Sequence, residues 1–239
     1  MKKGLLNLFL FILLVLSGLG NQALAYKFVP TELEWRSWSE RCQAAYAASN
    51  YGQKYGFSQR VPEHIKEKWS ATENIGPWHY CGGLMRIRRA ELSVDSKERK
   101  ENFETGISNC DYSYSRIDKS DPWAAEMATT LARGYKGLGD YNAAKKFLDE
   151  AISNHPDYIP AYLAYGLLYY DQEDYSKAME YLQKANQLSE GASGQIIYTL
   201  GLIYFRLGNL EMARSHADEA KRLGYPFRGL DKLLSSKKN

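Results

Sequence analysis

The sequence is poor in the residues from which most catalytic centres are built. It holds four histidines and three cysteines in 239 residues, and no two cysteines form a Cys-x-x-Cys pair. His64, His155 and His216 lie in separate segments, without the spacing of zinc ligands. A Gly-rich phosphate loop, a haem-attachment motif and a serine-nucleophile elbow are all missing. No metal or cofactor is therefore expected. Charge of one sign is lacking as well: the formal net charge is +3, which gives nucleic acid no electrostatic footprint. Beyond the first 25 residues no apolar run approaches the roughly 20 residues that cross a bilayer.

What is present begins with a leader. Lys2 and Lys3 precede an apolar run from Leu5 to Leu16, interrupted at Asn7 and followed by Ser17-Gly18-Leu19-Gly20. The triplet Ala23-Leu24-Ala25 then completes the three-part layout of a secretory signal peptide over residues 1–25. Cleavage after Ala25 is expected to yield a periplasmic or secreted protein with no stable membrane span. Tyr26 follows the cleavage point, so no cysteine is placed for lipid attachment. Loss of the two lysines lowers the charge to about +1.

Internal periodicity is the strongest signal in the remainder. Ala128, Leu131, Ala132 and Tyr135 set a spacing that recurs at Tyr162, Tyr165, Gly166 and Tyr169, and at Ile197, Leu200, Gly201 and Tyr204. A second motif follows each of these. Its small and apolar positions are Ala144, Leu148 and Ala151, then Ala178, Leu182 and Ala185, then Ala213, Ala217 and Ala220. Turns are expected at Gly139-Asp140-Tyr141, Glu173-Asp174-Tyr175 and Gly208-Asn209-Leu210. Small residues let the two helices of a hairpin approach, and larger apolar ones fill the space between successive hairpins.

These motifs resemble the tetratricopeptide repeat family over roughly Pro122 to Pro226. No Trp stands at the first position of any unit, and the prolines that close the second and third are replaced by Glu190 and shifted to Pro226. The resemblance implies an all-α fold, a right-handed α-solenoid of helix hairpins. Three repeats are expected over 122–225, at about 125–158, 159–193 and 194–226. A capping helix and tail over 226–239 would use Phe227, Leu230, Leu233 and Leu234.

Residues 26–121 form an N-terminal helical head. Trp78, Cys81, Gly82 and Met85, with Phe103, Ile107 and Cys110, repeat the hairpin spacing after an insertion of about nine residues, as in a degenerate hairpin. Thr31 to Ser49 has a largely helical period, with Thr31 as N-cap before Glu34. Residues 50–75 are expected to form a long loop with at most one short helix. The three cysteines permit three pairings: Cys42 with Cys81, Cys81 with Cys110, or Cys42 with Cys110. The segments Trp38 to Cys42, Trp78 to Leu84 with Arg88-Arg89-Ala90, and Tyr225 to Leu230 resemble a group of exported proteobacterial repeat proteins. There the first two segments each contribute a cysteine. That resemblance implies a Cys42–Cys81 disulfide tying the head together and leaves Cys110 as a small buried hydrophobe.

His79 and Cys81 are too nearly opposite on a helix to chelate one ion. Asp95 with Glu98, and Arg86-Ile87-Arg88-Arg89, are expected to form solvated faces or local ion pairs, the alternative being that Arg88 and Arg89 mark a contact for an acidic partner. The surface suited to function is the concave side of the array. Spacing assigns to it Thr129, Arg133 and Lys136, then Leu163, Leu167 and Tyr170, then Tyr198, Leu202 and Phe205, a trough with a basic end. A protein or peptide partner, an extended peptide or a helix, is expected there with apolar anchors in the trough and an acidic group near Arg133 and Lys136, unless the capping helix or the head fills it. The chain is thus expected to be a scaffold or adaptor and not an enzyme. The alternative is an envelope enzyme acting on wall or polysaccharide material, with groups such as His79 or Glu91 in the head.

Overall fold

A computed structural model describes residues 28–237, so the expected leader and its cleavage after Ala25 lie outside the described residues. The described chain is all-helical. Its head comprises α1 (Glu32–Ser37), α2 (Glu40–Ala48), α3 (Asn50–Lys54) and α4 (Glu63–Trp69), followed by the long pair α5 (Pro77–Leu92) and α6 (Ser96–Tyr114). Three further pairs follow: α7 (Pro122–Gly137) with α8 (Tyr141–Asn154), α9 (Ile159–Asp171) with α10 (Tyr175–Leu188), and α11 (Gly194–Arg206) with α12 (Leu210–Arg222). The helix α13 (Gly229–Ser236) ends the array. Among the described residues no helix is long and apolar enough to cross a membrane.

Each pair is a hairpin whose two helices pack along their length, and successive hairpins stack into an α-solenoid. The small positions read from the sequence are the contact points. Ala132, Ala144, Ala151, Ala178, Ala185, Ala213, Ala217 and Ala220 are all buried. A side-chain carbon at Gly166 would meet Leu182 at 2.4 Å, which is why the position takes glycine. Second helices start from one device. Asp140, Asp174 and Asn209 accept the backbone N–H three residues on, satisfying a donor that the first turn leaves orphaned.

The abundant tyrosines do two jobs. Their rings fill the spaces between helices, as where Tyr165, Tyr169 and Tyr181 stack with centroids 4.2 to 5.8 Å apart. Three hydroxyls also donate to carboxylates on other helices: Tyr80 to Glu126, Tyr114 to Glu150 and Tyr165 to Asp149, at 2.6 to 2.7 Å. A charge-assisted bond at the edge of an aromatic layer adds direction to otherwise undirected packing.

The head differs from the sequence expectation in two places. Residues 50–75 are not a long loop but a series of short helical turns, including α3, α4 and the 3₁₀ segments Ser58–Arg60 and Ser70–Ile75. Tertiary contacts hold them. Lys68 Nζ and Trp69 Nε1 both donate to Glu40, and the Arg41 guanidinium lies between the rings of Trp69 and Trp123, 4.4 and 4.3 Å from their centres. The Thr31 to Ser49 segment is two helices, broken where Trp38 turns extended and Ser39 caps α2. Thr31 forms the expected capping box with Glu34.

The α5–α6 pair is a full hairpin. It keeps the three-residue turn of α7–α8, and its second helix is longer, α6 having 19 residues where α8 has 14. Its tightest approach falls on Gly83 against the Gly106 carbonyl, one residue from the Gly82 that spacing selects. Cys42 and Cys81 form a disulfide with Cα atoms 5.6 Å apart, joining α2 to α5. Cys110 remains a thiol, fully buried against Gly83. Burial pushes its pKa up, which keeps it from acting as a thiolate.

Candidate functional site

The first helices of three consecutive hairpins each turn one stripe toward a common cleft. From α5 the stripe is Leu84, Arg88 and Glu91; from α7 it is Glu126, Thr129, Arg133 and Lys136; from α9 it is Pro160, Leu163 and Leu167. All three follow the three-and-four spacing of one helix face. Trp38 and Cys42 close the cleft from the head, while Gln195 and Phe227 border it from the last repeat and the tail. Its volume is about 830 Å³, within the range of about 300 to 1,000 Å³ typical of ligand pockets.

Five of the nine residues that spacing assigned to the trough line this cleft: Thr129, Arg133, Lys136, Leu163 and Leu167. The other four lie outside the cleft lining. Tyr198, Leu202 and Phe205 pack against the cluster built on Leu230 and Leu234 of α13. Tyr170 packs on Tyr175, and its hydroxyl accepts from Arg206 Nε at 3.1 Å. The cleft therefore spans the head and first two repeats, and on the third repeat α13 packs against the same face. Helical spacing identifies an apolar face but not the element that covers it.

The basic end is also quieter than the sequence implies. Arg133 forms a two-pronged pair with Glu91 at 2.6 and 3.1 Å, and Lys136 meets Asp171 at 2.5 Å. The cation left over is Arg88, exposed on α5 and without an ion pair among the described residues. Its neighbours in sequence are engaged: Arg86 donates to Asn102, and Arg89 pairs with Glu34 at 2.6 and 2.7 Å. Sequence reasoning missed Leu84 and Trp38 as lining residues, and it singled out Arg88 as a contact for an acidic partner without placing it in the trough. The head's matching spacing was a usable signal for Leu84, once its register is anchored on Gly83.

Of the candidate catalytic groups, His79 faces α6 and lies outside the cleft lining. Its ring sits between Trp78 and Tyr112, and Nδ1 is 2.9 Å from Asn109 Oδ1. Burial lowers its pKa; the Asn109 bond opposes this and Arg116 adds to it. Glu91 is committed to Arg133, and Asp95 caps α6 through the Glu98 N–H. Tyr158, beside the cleft, has its pKa raised chiefly by burial, so its hydroxyl stays neutral.

Comparison with known proteins bears on the same helices. One tetratricopeptide repeat model matches residues 135–188 and a second matches 194–223. The chain is 26% identical over 137 residues to Protein CTR9 homolog of Arabidopsis thaliana, a match covering 56% of this chain and 12% of that protein. The chain thus spans about an eighth of its curated relative. Among solved structures, "MamA MSR-1 C2" is 14% identical with a TM-score of 0.47, covering 80% of this chain and 95% of that one. A thermophilic TPR protein of Thermus thermophilus is 18% identical with a TM-score of 0.48, covering 83% and 98%. The two tandem models fall on hairpins that stack through buried alanines at the repeat spacing, and residues 135–188 and 194–223 are tetratricopeptide repeats.

Proposed function

We propose that this chain is an exported, non-catalytic scaffold that holds an extended segment of a partner protein in the cleft between its head and first two repeats. One observation carries the reading. Three successive first helices present aligned stripes to one cleft, and apolar positions such as Leu84, Leu163 and Leu167 stay only half-buried there. Half-buried aliphatic side chains in a concave surface gain by covering, which a partner segment supplies. The Cys42–Cys81 bridge supports export, because disulfides persist in oxidising compartments. No observation favours an enzymatic reading.

The test is recovery of the partner from source cells with the full chain. Leu84→Asp with Leu163→Asp is expected to abolish recovery while helicity is retained. Leu207→Asp, on an exposed position outside the cleft lining, is expected to leave recovery unchanged. Undiminished recovery with the cleft variant would contradict the proposal.

A further inference from the structure

Aliphatic side chains are exposed at the end of the head where the chain enters it. Leu33, Leu92 and Val94 are 80, 78 and 103% exposed, and Val29 is 37% exposed. They belong to two segments that Arg89 ties together. Its guanidinium pairs with Glu34 at 2.6 and 2.7 Å, donates to the Val29 carbonyl at 3.4 Å and lies over the Phe28 ring. Leu33 adjoins Glu34 in α1. Leu92 stands one helical turn beyond Arg89 on the same face of α5, and Val94 lies in the turn that follows.

Exposure this complete puts Leu33, Leu92 and Val94 on a convex point with no wall of this chain beside them, the opposite of the cleft. A folded partner would have to supply the whole pocket. A lipid bilayer closes around a protruding aliphatic group without one, and burying apolar surface there is favourable.

The position also favours lipid. Phe28 is fixed: it is 1% exposed, its ring lies 6.0 Å from that of Trp38, and its carbonyl accepts the Tyr46 hydroxyl at 2.6 Å. The apolar run of the leader ends at Leu16, twelve positions earlier, a reach of at most about 40 Å at full extension. A leader seated in a membrane therefore holds this end of the head nearest the lipid. Charges around the point come in both signs and are engaged locally, Lys97 with Glu101, Lys100 with Glu104, and Asp95 as the cap of α6. The contact is thus apolar and indifferent to lipid charge.

Resting on the export reading above, we propose that this end of the head, through Leu33, Leu92 and Val94, is a contact surface for a lipid bilayer.

The test uses the full chain, leader attached, with phosphatidylcholine vesicles. An environment-sensitive fluorophore on Val94→Cys is expected to shift to the blue and to be quenched by lipids brominated in their acyl chains, in low and in high salt alike. Cys110 is buried and does not take the label. The same label on Leu207→Cys, an exposed position of the last repeat, is expected to stay in water. Leu33→Asp with Leu92→Asp is expected to abolish the shift at position 94, while flotation with the vesicles, which the leader provides, is unchanged. Water-like emission from position 94 on floated protein overturns the contact and reduces the leader to a tether. A blue shift that needs no vesicles and grows with protein concentration assigns the surface to a second copy, which overturns it as well. Equal shifts at positions 94 and 207 mean unspecific adsorption and overturn it too. Absence of flotation overturns the leader reading together with the contact. The cleft reading, which partner recovery measures, is untouched by each of these results.

Discussion

The Tyr198 hydroxyl on α11 accepts the backbone N–H of Leu230, 3.0 Å away, in the first turn of α13. Arg228, at the N-cap of that helix, offers no side-chain bond, so a tyrosine from another helix does the work of the cap. This contact ties the last helix against Leu202 and Phe205 at the end of the array.

Tyr198→Phe keeps the ring but removes the acceptor. A loss of about 1 kcal/mol is expected, the usual worth of a helix cap. Amide hydrogen exchange should rise in α13 and stay unchanged in α7 to α10. Unaltered protection at Leu230 would show that the hydroxyl does not hold the helix.

The Cys42–Cys81 bridge closes a loop that includes most of the head's short helices. Replacing both cysteines by alanine should lower stability by about 2–4 kcal/mol, read from urea denaturation. Alkylation of Cys110 should remain negligible until the protein unfolds, because its thiol is fully buried. Rapid labelling of native protein would contradict that burial.

The second-repeat turn places Glu173 at φ 59°, where the first and third repeats have Gly139 and Gly208 at 81° and 79°. A side chain in this left-handed region costs about 1–2 kcal/mol. Part of that cost should be recovered by Glu173→Gly, raising the melting temperature. A lower melting temperature would mean that the glutamate makes a compensating contact.

His79 supplies a pH dependence with a definite sign. Its folded pKa lies below its unfolded value, chiefly through burial, so the unfolded chain takes up the proton first as pH falls. The stability it contributes is full above about pH 6.5 and is lost as pH falls through that value toward the folded pKa. The urea midpoint should therefore drop between pH 7.5 and 5.5, and less so in His79→Gln. Equal drops in both proteins would remove His79 as the source.

The repeats were legible because close helix approach demands small side chains at fixed intervals, and Ala144, Ala178 and Ala213 announce them directly. Thr31 was legible as a cap for the same local reason. Residues 50–75 were not. Their helices are short and polar and are stabilised by distant partners, such as Glu40 for Lys68 and Trp69, which no local pattern reveals. The site was half legible. Periodicity placed Leu163 and Leu167 on the inner face, but α13 covering Tyr198 is a tertiary event. The ion pairs that silence Arg133 and Lys136 join residues 42 and 35 positions apart.

Site-specific photocrosslinking in living source cells tests the central claim most directly, with the reactive group placed in turn at Leu84, Leu163 and Leu202. The account predicts one and the same crosslinked partner from the first two positions and none from Leu202, which lies outside the cleft lining and packs against α13. Capture from Leu202 alone, or no position dependence, would contradict it.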